Sequence, residues 1–224
     1  MTNSISKILI DLSKNITRKN LYKLIDKELK PLNNNSYNVL NIGAGGALEN
    51  YIKSYTKLNV FSIDIDQDRN PDQVIDLCDN NFIDKLKFKP DIITCFEVLE
   101  HVKDPHIAIK NLYKTCDKDC IILLSTPFNF PIHDAPNDFY RYTKFGLNYL
   151  FRDFSSKKII ARDGWLDCIF VFLIRLKFSK SIFLKIISLG FMLIYYLFYP
   201  LIFLIQKLTS FENITTGYFI IVKK

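Results

Sequence analysis

Short apolar or β-branched runs at 38–42, 59–64, 73–76, 91–96 and 120–126 alternate along this chain with stretches of helical spacing, near 47–57 and 105–116. Strands that recur after helices have one common solution, a mostly parallel sheet covered on both faces, so the fold class expected is α/β. Two further strands are expected at 157–162 and 217–223.

Ahead of the first strand, Leu21, Leu24, Ile25 and Leu29 recur at helical spacing and then meet Pro31, which predicts one or two lead-in helices within 1–37. The remainder, 38–224, reads as one domain. With 224 residues, 49% of them hydrophobic, the chain can bury a substantial core. The Asn33, Asn34, Asn35 patch is short enough for a turn. Ile8, Leu9 and Ile10 are interrupted by Asp11, too short a run for a signal peptide, so the protein is expected to stay inside the cell. Cys78, Cys95, Cys116, Cys120 and Cys168 form no CxxC pair, which fits reduced cytosolic thiols rather than a disulfide framework or a zinc site. A net charge of +7 suits an anionic partner without choosing among membrane, nucleic acid and phosphorylated substrate.

The first strand runs into Asn41-Ile42-Gly43-Ala44-Gly45-Gly46, a glycine-rich turn before a helix. Glycines let the backbone approach a ligand without a Cβ clash, and the helix start beyond exposes unpaired N–H groups. A tight strand-to-helix turn can also use glycine for structure alone. Asp64 strengthens the ligand reading, because it ends the second strand at the distance where a carboxylate meets ribose hydroxyls. A dinucleotide fold would need a third glycine where Leu48 stands, which demotes a dehydrogenase.

With these residues, and with SIDID at 62–66, VIDLCD at 74–79, CFEVLEHVKDP at 95–105 and STPFNFPIHDAPNDFYRYT at 125–143, the chain resembles the class I S-adenosylmethionine-dependent methyltransferases. Within them it is similar to small, type 11-like members tied to surface glycans or lipid-linked intermediates. The resemblance covers roughly 38–164 well and the last strand more loosely. It implies a Rossmann-like seven-stranded sheet with helices on both faces, and S-adenosylmethionine as cofactor. Carried over by position, it implies that Gly43 and Gly45 pass under the methionine part and that Asp64 holds the ribose, with Asn41, Ala44 and Ile65 also among the cofactor-binding residues. Asp76 and Leu77 would contact the adenine, and Phe96 or Glu97 would border the sulfonium. The family usually has Asp or Glu in place of Asn41 and often glycine in place of Ala47, which would weaken cofactor binding or mark a non-catalytic, membrane-bound scaffold.

An oxygen nucleophile profits from a base or a metal. His133, in the loop after the fifth strand, is the favoured general base, with His101 beside it at the same sheet edge. The plainer alternative is that both histidines order local structure. Glu97, Glu100 and His101 have i, i+3, i+4 spacing, and with His133 they could hold Mg2+ or Mn2+ if that segment is helical. Asp138 and Arg141 are close enough to pair, and Arg141 could instead clamp an acceptor anion. His106 reads as surface.

The segment 165–208 is almost wholly apolar, and Ile186–Ile205 carries no charge, enough for a membrane span. A single crossing conflicts with strands on either side that should share one sheet, while Asp167, Arg175, Lys177, Lys180 and Lys185 disfavour a second. A helical hairpin lying in one leaflet is therefore expected, with Trp165, Tyr195, Tyr196 and Tyr199 at interface depth and Pro200 breaking or bending the longer helix. Packing on the sheet or against a second subunit is the alternative, and nothing in the pattern sets an oligomeric state.

Together these features lead to an O-directed methyltransferase for a small-molecule or lipid-linked glycan acceptor, peripheral or monotopic on the cytoplasmic side of a membrane. A quinone or lipid methyltransferase is the nearest rival. Nucleic acid is not expected as a partner, since the basic residues are dispersed.

Overall fold

Strand β1, Tyr37–Ile42, sits between β2, Leu58–Asp64, and β4, Ile92–Phe96, and both neighbours run parallel to it. The computed structural model describes residues 2–209 and 211–224, with side chains from residue 12 onward, so the side chains of Ile8, Leu9, Ile10 and Asp11 lie outside the described residues. With β3, Gln73–Val74, β5, Ile121–Pro127, β6, Ser156–Ala161, and β7, Gly217–Lys223, the strands form a seven-stranded sheet in the order β3-β2-β1-β4-β5-β7-β6. In register, Leu40 meets Phe61 on one side and Ile93 on the other, and Ile93 meets Ile122. All residues of β4 are buried, as a strand covered on both faces requires.

The order runs outward from the β1/β4 pair in two directions. That reversal opens a crevice beyond the carboxyl ends of the strands, where open α/β sheets bind ligands. The expected strands are all present, but the third is shorter than its 73–76 run. Asp76 turns the chain away by accepting the Cys78 N–H at 2.8 Å.

The lead-in is a single helix, α1, Thr2–Leu29, which stops before Pro31. Helix α2, Gly46–Lys53, follows the glycine turn, and α3, Phe82–Lys85, is one turn long. Helix α4, Pro105–Thr115, starts where Asp104 accepts the His106 and Ile107 N–H groups at 3.1 Å, with Pro105 at the position that needs no donor. Thr143 caps α5, Lys144–Leu150, through the Gly146 N–H. His106 is exposed.

Two compact units emerge from this order. One comprises 25–127, 132–160 and 218–224 and carries the sheet, around a core that includes Leu40, Ile93, Ile122, Phe151 and Phe219. The other comprises 1–24, 128–131 and 161–217, and contains α6, Trp165–Arg175, and α7, Ile182–Leu208. Its core is Ile16 of α1, Val171 and Ile174 of α6, and Met192, Tyr195 and Ile202 of α7. Polar groups pin the same three helices, since Asp167 accepts from Tyr195 Oη at 2.8 Å and Gln206 Nε2 at 3.2 Å, and Asn20 Nδ2 donates to Asp163 at 2.9 Å.

Helix α7 runs unbroken through Pro200. The residue costs one backbone hydrogen bond, and packing of Tyr195, Tyr199 and Ile202 on either side of it holds the helix together. Its outer face is bare: Ile186, Leu193, Leu197, Leu201 and Leu204 are each at least half exposed.

Candidate active site

The glycine turn after β1 has the shape that only glycine takes easily. Gly43, Gly45 and Gly46 have φ of 95°, 79° and 79°. A Cβ at Gly43 would lie 2.6 Å from Val98 Cγ2, so the missing side chain lets the segment after β4 close on the turn. Asp64, at the end of β2, faces this turn. Its Oδ2 accepts the Ala44 N–H at 2.8 Å and its Oδ1 the Asp66 N–H at 2.9 Å. Ile65 beyond it is 67% exposed. Arg69 lies alongside, with Nη1 3.5 Å from the Ala44 carbonyl.

Asn41 is buried under the turn and uses both ends of its amide. Its Nδ2 donates to the Gly43 carbonyl at 3.1 Å and to Ser62 Oγ at 3.3 Å, while its Oδ1 accepts from Thr94 at 3.0 Å. The negative charge that the sequence lacks at this position is close by on α2. Glu49 accepts the Gly45 N–H at 2.6 Å and Ser62 Oγ at 2.5 Å, and pairs with Lys53 at 2.7 Å. Burial raises its carboxyl, but Lys53, Ser62 and Gly45 outweigh that and hold it below the ordinary range. Neither Glu49 nor Ser62 stood out in the sequence, because Glu49 falls four residues after the N-cap Gly45, one beyond the spacing of a capping box.

The remaining expected cofactor residues line the same sheet edge. Asp76 is exposed, and Leu77 is buried with its carbonyl taken by Asn111 Nδ2 at 2.8 Å. Phe96 ends β4, buried against Phe219 with ring centroids 5.8 Å apart. Glu97 follows with φ 55° and accepts from Ser125 Oγ at 2.7 Å.

This backbone turn at Glu97 changes the expected metal set. The helical geometry begins only at Leu99–His101, a short 3-10 turn, so Glu97 does not share a helical face with Glu100 and His101, and its carboxylate goes to Ser125 instead. The other three residues do converge: donor atoms of Glu100, His101 and His133 all lie within 4.8 Å of one another.

The loop after β5 brings His133 there because it is tied to the 3-10 turn. Phe139 and Tyr140 donate backbone N–H groups to the Glu100 carbonyl at 2.9 and 3.2 Å, and Tyr142 Oη reaches the Leu99 carbonyl at 3.3 Å. The His101 and His133 rings meet edge to face at 5.0 Å. Arg141 and Asp138 pair through two bonds of 2.5 and 2.6 Å, as their spacing suggested, and Asp138 also accepts the His133 N–H at 2.9 Å. Arg141 holds the Asp138 carboxyl down at about 2.

Beneath both rings lies Glu100, fully buried. Its Oε1 has no hydrogen-bond partner among the described residues, and stands 3.6 Å from His101 Nε2 and 3.7 Å from His133 Nε2. Burial pushes its carboxyl above the usual range, His133 pulls it back, and Glu97 adds to the rise. His101 Nδ1 lies 2.7 Å from the Asn137 carbonyl, which can only accept, so in the neutral ring Nδ1 carries the proton and the lone pair is on Nε2.

The family model described as "Methyltransferase domain" matches residues 14–163 of the chain. The chain belongs to this methyltransferase family. No curated protein matches it. Among solved structures, the methyltransferase is similar to a SAM-dependent methyltransferase from Archaeoglobus fulgidus, with 17% identity, 91% of this chain and 94% of that one covered, and a TM-score of 0.56. It is also similar to coclaurine N-methyltransferase, with 13% identity, coverage of 91% and 72%, and a TM-score of 0.53. A third likeness is phosphoethanolamine N-methyltransferase 2 of Haemonchus contortus, with 13% identity, a TM-score of 0.51, and coverage of 85% of this chain but 49% of that one.

The methyltransferase is thus a methyl-transferring enzyme by family, and its seven-stranded sheet is the class I fold. The matched segment ends at Asp163, so α6 and α7 of the methyltransferase lie outside it.

Proposed function

We propose that the enzyme methylates a hydroxyl of a glycan or lipid-linked acceptor at the cytoplasmic face of a membrane. The observation that carries this reading is the buried Glu100 oxygen beneath the two imidazoles. A hydroxyl must lose its proton as the methyl group arrives, and a histidine pair backed by a carboxylate can take that proton and stabilise the resulting charge. His101, with its Nε2 lone pair, is the base in this account. His133 is held by Asp138 and Arg141 and orients the unit.

The residues at the glycine turn fit the cofactor. Gly43 and Gly45 keep the turn free of side chains, Asp64 keeps one lone pair on each oxygen that could accept from ribose hydroxyls, and Asp76, exposed nearby, would meet the adenine. When bound, the cofactor supplies the electrophilic methyl group.

A second reading is favoured by the convergence of Glu100, His101 and His133, whose mixed O/N donors suit Mg2+ or Mn2+. Such an ion would polarise the acceptor oxygen. Activity that survives thorough chelation excludes it.

The membrane part of the proposal rests on α7. It is long and apolar enough to cross a bilayer, with only 22% of its most apolar window buried, yet the strands at either end of the α6–α7 segment are neighbours in one sheet. Helix α6, at 11 residues, spans about 16 Å and cannot complete a return crossing. A hairpin that dips into one leaflet satisfies both facts.

The test is methyl transfer from radiolabelled S-adenosylmethionine into a membrane lipid extract. Label in the polar, lipid-linked fraction as a base-stable ether, lost in His101→Ala, supports the reading. Label on an amine, or on quinone alone, overturns it.

A further inference from the structure

Between Asp167 and Glu212 there is no acidic residue, while Arg175, Lys177, Lys180, Lys185 and Lys207 all fall in that interval. The charge is not spread evenly. All but Lys207 lie in or beside the turn that joins α6 to α7, and the middle of α7 has none.

The turn is built to show apolar and basic groups together. Phe178 is 65% exposed and lies under two cations, with Arg175 Cζ 4.9 Å and Lys177 Nζ 4.8 Å from its ring centroid. Lys177 also donates to Ser13 Oγ of α1, which fixes the turn against that helix. Lys180 and Lys185 are exposed, and between them Ile182 and Phe183 are 72% and 65% exposed. Apolar side chains at the same level as lysines match a bilayer boundary, where the chains enter the acyl region and the amines stay with headgroup phosphates.

Resting on the membrane reading above, we propose that the α6–α7 turn is a binding surface for anionic phospholipid headgroups, and that this chain selects anionic over zwitterionic bilayers. The occupant is a bilayer because of the match in both charge and polarity. A segment of one charge sign, continuous with an uncharged, uncovered helix face, complements a surface that is anionic outside and hydrocarbon within.

The experiment is flotation of the full chain with vesicles of phosphatidylcholine alone and with vesicles in which a third of that lipid is replaced by phosphatidylglycerol. Binding is expected to be stronger to the second and to fall with added salt. Lys180→Gln with Lys185→Gln, both exposed, should cut affinity for anionic vesicles about thirtyfold and leave binding to the neutral ones unchanged. Equal binding of the wild type to both kinds overturns the headgroup proposal while the membrane reading stands. Failure to bind either kind overturns the membrane reading, and this proposal falls with it. An unchanged anionic affinity in the double variant also overturns the assignment to this turn.

Discussion

The Glu49 carboxylate accepts the backbone N–H of Gly45 at 2.6 Å, closing the glycine turn from the side of the helix that follows it. Through Ser62 Oγ the same carboxylate is linked to Asn41 by two hydrogen bonds in series. Glu49→Gln keeps the shape but removes the charge, and one amide end must then face a donor. Affinity for S-adenosylmethionine should fall about tenfold, equivalent to ~1.4 kcal/mol, measured by calorimetry. Unchanged affinity would confine Glu49 to capping α2.

Asn41→Asp tests whether the amide is a weakened acid or a required donor. The Nδ2 group meets the Gly43 carbonyl at 3.1 Å, and an aspartate oxygen there would face another acceptor in a buried place. The substitution should destabilise the fold by ~2 kcal/mol and lower cofactor affinity. An increase in affinity would show that the lost charge at this position matters more than the donor.

Glu100→Gln should separate stability from activity. The wild-type carboxyl is fully buried with its acidity weakened by burial, so its ionisation in the fold is costly. A folded pKa above the unfolded one favours the fold at low pH, and that contribution is lost as pH rises through the folded value. The amide variant should therefore gain ~1 kcal/mol at neutral pH, seen as a higher Tm that varies less between acidic and neutral pH. Turnover should fall about a hundredfold, with cofactor affinity unchanged. Full turnover in the variant would remove Glu100 from the proton path.

Asp138 has the opposite sign. Its carboxyl is held near 2 by Arg141 against an ordinary 3.8, so the stabilisation is fully present above about pH 4 and is lost as pH falls through about 2. The pair should contribute ~2 kcal/mol. Arg141→Gln should shift acid unfolding to higher pH, followed by circular dichroism. Identical acid transitions would mean that the two bonds of 2.5 and 2.6 Å contribute nothing net.

Most of the fold was legible because periodicity and burial coincide. The run at 91–96 is apolar throughout and becomes a strand buried on both faces, and Pro31 and Asp104-Pro105 mark helix ends by local chemistry alone. Gly43, Gly45 and Asp64 were legible as a pair of signals, and the Ala44 N–H to Asp64 bond joins them. Glu97 was misplaced because spacing assumes a continuous helix, whereas its φ of 55° turns the chain before the helical geometry starts. Glu49 escaped notice because its role depends on Ser62 of β2, a partner that reaches it only through the packing of α2 beside that strand. The unbroken path of α7 through Pro200 was likewise set by neighbouring helices rather than by local propensity.

The adjacency of β6 and β7 at the sheet's margin makes the hydrophobic arm a loop in the topological sense, leaving and rejoining the scaffold at one place. Such an appendage can lengthen, shorten or change its polarity without rethreading any strand. The strands that carry the glycine turn are therefore untouched by whatever the arm becomes.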